Sequence, residues 1–399
     1  MADREGLIEV VDGLRTQMID FTRELVAIPT ENPPGNEYAR CASVIARKLK
    51  ELGLEPRVIE VPGEPPGYCV TASHGEGERA LHFHGHYDVV PRAADSQFDP
   101  VIKRSNLFGR GSSDMKGGLA SMIYAVHALR RARTRLKGRV ELVIVPDEET
   151  GGARGTSWLS QLADFGKGSL GMLTAEPTSG VVWNANRGAI SLRIHVPGKP
   201  AHVGLSCQGV NAFERMILIA RELDNLKPAV ETRETGYRIH PRAARRSILM
   251  MGGECRGGSS FNLVPGKCSF TVDRRINPEE DLETEKRRLL DLLDGLRRGG
   301  LAHEIEILQE GSSCGVPEEH PLARTLGRAI RSVTGKSPAF EMCPGLLETR
   351  FYARRGIPGL AYGPGLLSVS HGPREFVPLK NIRDCAAVYA LAAQAALAR

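Results

Sequence analysis

The chain has 399 residues, 41% of them hydrophobic and 25% charged, with a formal net charge of +6. That length exceeds what one hydrophobic core usually serves, so at least two domains are expected, and the composition excludes a disordered or fibrous protein. The small positive excess is dispersed, which argues against a nucleic-acid partner and leaves anionic small molecules as candidate ligands.

The first residues, MADREGLIEVVDG, are acidic early and hold no apolar run of signal-peptide length. From Leu7 to Val26 apolar residues recur at helical spacing (Leu7, Val10, Val11, Leu14, Met18, Phe21, Leu25), predicting one helix that PTENPPGN ends. VIARKLKELG reads as the end of another helix with Gly53 in the C′ position, and EPRVIEV as a strand. Strand-like runs at 79–87 and 138–146 enclose a helix with Leu119, Met122, Ile123, Val126 and Leu129 on one face. This β-α-β order implies an α/β fold with a mostly parallel sheet.

After Pro177 the texture changes. AISLRIHVPG and GKCSFTVDRRI alternate like half-exposed strands, GVNAFERMILIARELDNL and PEEDLETEKRRLLDLLDGL read as helices, and HEIEIL as a strand. Such a set predicts a smaller α+β domain, 187–311, inserted into a discontinuous domain of 1–186 and 312–399. HPLARTLGRAIRSV and GIPGLAYGPG restore the α/β pattern, and CAAVYALAAQAALA, too short for a span of about 20 residues, reads as a packed helix rather than a membrane segment. The eight cysteines form no Cys-x-x-Cys pair and are expected to be reduced thiols of a cytoplasmic protein.

ALHFHGHYDVVP places His82, His84 and His86 at every second position, on one face of a strand. They are either a three-histidine metal site or one ligand with two packed imidazoles. Asp88 is placed to accept the second ring N–H of His86, as carboxylate partners of ligating histidines do. Asp114, in FGRGSSDMKGG, is either a helix N-cap or a ligand. VELVIVPDEETGG ends an apolar strand in Asp147, Glu148 and Glu149, an arrangement that is costly without cations and lies where open α/β sheets bind ligands. Glu176 in LTAEPTSG and His371 in GPGLLSVSHGPREFVP read singly as a turn residue and a structural imidazole. Taken together, mixed imidazoles and carboxylates suit Zn²⁺ or a similar divalent ion, and a two-metal site would need a bridging carboxylate.

In order and type, LVAIPTENPPGNE, GHYDVVP, GRGSSDMKGG, PDEETGG, AEPT and SHGPREFVP resemble the motifs of the M20 metallopeptidase/amidohydrolase family, the group of acetylornithine deacetylase, succinyl-diaminopimelate desuccinylase, aminoacylase-1 and carboxypeptidase G2. The resemblance covers nearly the whole chain. It implies a zinc-peptidase-like catalytic domain with an inserted dimerisation, or lid, domain, and hence a homodimer. It also implies two divalent ions per subunit, zinc first, with cobalt and manganese as alternatives. His86 and Glu176 would bind one ion, Glu149 and His371 the other, and Asp114 would bridge them. Asp88 would orient His86, Glu148 would be the general base, and His82 and His84 fall outside the ligand set. A cis peptide is implied between Asp114 and Met115.

In the inserted domain, GKPAHVG resembles the segment whose histidine, here His202, reaches the other subunit's active site and stabilises the oxyanion. SSFNLVPGKCSFTVDRR resembles the segment supplying substrate contacts, here Asn262 and Arg275. The chain departs from the family at PGLLETRFYARRGIP, where Glu348 takes the acidic position and leucines replace small residues. Arg350 there is a candidate for an anionic substrate group or a partner for Glu348.

The implied activity is metal-assisted hydrolysis of an amide in a small, carboxylate-bearing N-acyl amino acid or peptide-like compound. A dipeptidase, or an aminohydrolase releasing ammonia, are alternatives on the same site. A non-catalytic binding homologue is disfavoured by the intact Glu148 and all five ligand positions. Cys207, five residues after His202, lacks the positioned third group that a thiol nucleophile needs.

Overall fold

The structure, a computed structural model, describes residues 4–398. The chain divides into two compact units. One takes the chain up to Asn184 with Gly315–Glu341 and everything from Phe351 on; the other takes Ala185–Cys314 with Met342–Arg350. Glu348 and Arg350 therefore lie in the second unit, although the sequence by itself assigns their segment to the first.

The sheet of the first unit runs from one edge through Arg57–Val61, Gly67–Gly75, Arg139–Val145, Ala80–His86 and Ser169–Thr174 to Gly359–Ala361, and continues beyond it with Val182–Asn186, which pairs antiparallel through Ala361 and Trp183. Ala80–His86 pairs in parallel with the strands on both sides, Gly359–Ala361 continues the parallel set, and the first two strands are antiparallel additions. A central parallel strand is covered on both faces, and Ala80–His86 is buried along its whole length. Helix Gly117–Arg131 packs with the terminal helix Leu379–Leu397, and the core they share takes in Leu81 and Phe83, whose ring meets Tyr389 edge-on at 4.8 Å. Alternation along the strand sends His82, His84 and His86 to the opposite face.

The second unit holds an antiparallel sheet in the order Ile248–Gly257, Lys267–Ile276, Gly188–Pro197, Glu304–Gly311. One face packs Ile190, Leu192, Ile194, Phe270 and Val272 against helices Ala212–Glu231 and Leu282–Arg298. The edge strand Ile248–Gly257 has no counterpart in the sequence expectations, because Gly252 and Gly253 interrupt its alternation where the register shifts between Met251 and Cys255.

Two helix expectations change. Leu7–Val26 is not one helix but two, Arg4–Gly13 and Arg15–Val26; Gly13, a poor helix former, precedes a tighter turn in which the Leu14 N–H bonds the Val11 carbonyl. The helix expected from Pro278 starts at Leu282, where Asp281 accepts a 2.8 Å hydrogen bond from the Thr284 N–H.

Candidate metal centre

His86 ends its strand, and its Nδ1 lies 3.3 Å from an Asp88 carboxylate oxygen and 3.1 Å from the Asp88 carbonyl. That orientation turns Nε2 toward Asp114 at 3.3 Å and Glu176 at 3.9 Å. Asp88 is fully buried and also accepts the backbone N–H groups of Glu148 and Glu149, both at 3.1 Å, and the Asn32 amide at 2.9 Å. One carboxylate thus ties the His86 ring to the turn that carries Glu148 and Glu149.

Of the three adjacent carboxylates after Arg139–Val145, Asp147 turns away from the centre. It has φ 73° and accepts from the Arg154 N–H at 2.9 Å, Arg154 Nε at 3.0 Å and the Thr150 hydroxyl at 3.0 Å. Asp147 anchors the turn Glu148–Thr150, and Glu149 reaches His371 Nε2 at 3.3 Å. Glu148 sits half-buried between them in the chain.

Asp114 is not an N-cap. The helix begins at Gly117 with Lys116 as its cap residue, and Asp114 has the extended angles φ −126°, ψ 97°. The Asp114–Met115 peptide is cis, as the resemblance implied. A Cβ on Gly118 would stand 2.3 Å from the Ala175 carbonyl oxygen, so only glycine lets this helix start against the strand end that carries Glu176. From that position Asp114 faces His86 with one oxygen and His371 with the other, the latter at 3.2 Å.

Five side chains therefore form two groups, His86, Asp114, Glu176 and Asp114, Glu149, His371; the ligand atoms in each lie within 4.8 Å of one another, and Asp114 belongs to both. Glu149 Oε1 is buried with no hydrogen-bond partner, and His86 Nε2 is buried facing the carboxylates of Asp114 and Glu176. Burial opposes charge on His86, yet its bonds with Asp114 and Asp88 outweigh this and push its pKa well above the ordinary histidine value. Asp114 and Glu149 together raise His371 to about 10. Burial also opposes ionisation of Asp114, but bonds from His371 and His86 hold its carboxyl well below the usual range, whereas burial pushes Glu149 up. Three carboxylates packed around two imidazoles call for positive charge, and the donor set fits a pair of divalent ions.

His82 and His84 stand outside both groups. His82 lies 3.5 Å from Glu141 with its ring against Tyr352, and His84 contacts the Tyr352 hydroxyl at 3.2 Å and the Thr156 hydroxyl at 3.1 Å. The three-histidine alternative is not realised.

In the second unit, His202 is exposed and its Nδ1 accepts the Gly204 N–H at 3.1 Å. Asn262 is its neighbour: the Asn262 carbonyl accepts the Val203 N–H at 2.9 Å, and its side chain accepts the Ser260 hydroxyl at 2.7 Å. Arg275 pairs with Asp273 through two bonds of 2.6 and 3.0 Å. Arg350 and Glu348 are both buried, and Cys207 is exposed in the turn Val203–Gln208.

Sequence reasoning passed over Asn32, which braces both Asp88 and Asp147. It also passed over the ion pair of Arg110 and Glu375, although each stands four residues from a candidate ligand, before Asp114 and after His371. Opposite charges placed symmetrically about two ligands were the available signal.

The model of peptidase family M20/M25/M40 matches residues 82–395. The chain belongs to this family. Over their whole length its curated relatives include the succinyl-diaminopimelate desuccinylases of Stenotrophomonas maltophilia (strain R551-3), 26% identical over 93% of this chain and 97% of that protein, and of Gluconacetobacter diazotrophicus, 28% identical over 94% and 96%. Among solved structures, the M20 metallo-carboxypeptidase Sso-CP2 of Sulfolobus solfataricus superposes with a TM-score of 0.81 at 16% identity, covering 96% of this chain and 99% of that one. The di-peptidase Dug1p of Saccharomyces cerevisiae follows with a TM-score of 0.77 at 16% identity, covering 100% and 99%. At these identities the superpositions speak for the M20 fold, a mostly parallel α/β unit with a second, smaller one. With family membership and the two ligand groups, the chain is a metal-dependent hydrolase. No helix among the described residues is long and apolar enough to cross a membrane.

Proposed function

We propose that this M20 hydrolase cleaves the amide bond of small, carboxylate-bearing N-acyl amino acids or peptide-like compounds, in the manner of a deacylase, desuccinylase or carboxypeptidase. The observation that supports this most is Asp114, which faces His86 at 3.3 Å and His371 at 3.2 Å from opposite carboxylate oxygens. In this reading His86 and Glu176 would hold one ion, Glu149 and His371 the other, and Asp114 would be shared by both. Zinc is the first choice for such a donor set, with cobalt or manganese as alternatives. Ions of this kind, when bound, polarise the scissile carbonyl and acidify the attacking water.

Glu148 takes a proton from that water as it adds to the carbonyl carbon, and passes it to the amine as the C–N bond breaks. Asp88 keeps the His86 ring and the Glu148 turn in register. His202 donates to the carbonyl oxygen as negative charge builds there. Asn262, Arg275 and Arg350 bind the substrate, with a guanidinium fork taking its carboxylate.

A homodimer, with His202 acting across it, belongs to this reading. The second unit exposes Phe213 and Ile217 on its helix Ala212–Glu231, and Ile248 and Met250 on the edge strand Ile248–Gly257, a surface suited to a second copy. A cytoplasmic setting agrees with eight free cysteines.

The test is elemental analysis of the purified protein together with amine release from a panel of N-succinyl and N-acetyl amino acids, dipeptides and aromatic amines, before and after chelation. About two equivalents of metal per chain and chelator-sensitive amino-acid release are expected. Ammonia release from an aromatic amine in place of amino-acid release would move the reading to an aminohydrolase. Cleavage indifferent to chelation, or none with both ions bound, would overturn it.

A further inference from the structure

Arg110 and Glu375 meet at 2.6 Å with 1% and 2% of their surface exposed, and their other bonds go to the backbone of the loops that carry the candidate ligands. Glu375 Oε1 accepts the N–H groups of Ser113 at 3.0 Å and Asp114 at 3.1 Å. Arg110 Nη2 donates to the carbonyl of His371 at 3.1 Å and to that of Pro91, in the loop after His86 and Asp88, at 3.3 Å. A continuous path thus runs from the Asp114 backbone through Glu375 and Arg110 to the His371 backbone. It closes into a ring where the two side chains meet at 3.2 Å.

Stability alone is a weak reason for such a pair. A buried ion pair costs desolvation on both sides and often stabilises no better than apolar residues of the same volume. Geometry supplies a stronger one. His371 has φ 63°, in the left-handed region that non-glycine residues adopt only when their surroundings hold them there, and Arg110 grips its carbonyl. The planar guanidinium gives one nitrogen to Glu375 and the other to His371, so their separation is set by a rigid fork that a lysine ammonium cannot reproduce.

We propose that Arg110 and Glu375 are positioning residues that set the spacing of His371 and Asp114, and thereby the affinity for the ion at Asp114, Glu149 and His371. This rests on the two-ion reading above. It is tested by titrating the metal-free protein with Co²⁺, following the visible spectrum, and repeating the titration with Arg110→Lys, Glu375→Gln and the double variant. The wild type takes up two ions. Arg110→Lys is expected to keep one near wild-type affinity and to weaken the other about 10–100-fold, with an altered band for that ion alone. Because the pair acts as a unit, the double variant is expected to lose no more than the worse single one. A folded Arg110→Lys with both steps unchanged, or with both weakened equally, overturns the proposal, and so does failure of the metal-free variants to fold, which would make the pair purely structural. A wild type that binds no pair of ions defeats the functional reading instead, and this inference with it.

Discussion

In the first unit the candidate metal ligands are fixed by other residues: His86 by Asp88, Glu149 through its backbone by the same Asp88, Asp114 by Glu375, and His371 by Arg110. In the second unit His202, Asn262 and Arg275 bond to residues two positions away or fewer through their side chains: Gly204, Ser260 and Asp273. The contrast separates two demands. In the proposed reading, ligands that share an ion must be held to fractions of an ångström before it binds, whereas groups that would meet a substrate can remain accessible until it arrives.

The largest test of that contrast is Asp114→Ala. Removing the carboxylate common to both groups is expected to abolish binding of both ions and all turnover; elemental analysis that still finds two ions per chain would break the bridging assignment. Next is Glu148→Ala, expected to keep both ions while kcat falls about 10²–10⁴-fold, as for loss of a general base. Turnover near wild type would remove Glu148 from that role. His202→Ala comes third, with kcat down about 10²–10³-fold and metal content unchanged. Mixing it with Glu148→Ala should restore part of the activity if the histidine serves the other subunit, and no recovery would confine it to its own.

The smallest effect concerns stability. Burial lowers His82 from 6.5 to about 4, so the folded chain keeps it neutral where the unfolded chain binds a proton. Its contribution is fully present above pH 6.5 and is lost as pH falls toward 4, by at most about 3 kcal/mol. His82→Gln should therefore flatten the acid limb of a denaturation series between those pH values and leave metal content alone. A drop in bound metal would return His82 to the ligand set.

Much of this was legible in sequence. Strict alternation placed three histidines on one face, and β-α-β order gave a parallel sheet whose carboxyl ends carry His86 and the Asp147–Glu149 turn. The local patterns that misled were those with a distant partner. Asp114 before an amphipathic helix reads as a cap, yet its side chain is drawn to two imidazoles that local sequence does not bring near it. Gly252 and Gly253 hid an edge strand because a bulge breaks the period that reveals strands.

What the sequence by itself determined is the inventory and its placement on elements: which residues can bind a metal, on which strand ends and turns they fall, and a family resemblance that assigned each a role. Tertiary structure alone decided which of them converge. His86 meets Asp114 and Glu176 while His82, four residues earlier on the same face, packs against Tyr352; Asp147 is claimed by Arg154 while Glu149 reaches His371; and Arg110 and Glu375 join across the loops of two candidate ligands. Spacing along a chain fixes only geometry within an element, whereas a metal site depends on distances between elements, and these are set by how the sheet, the Gly118 contact and the buried ion pair pack together.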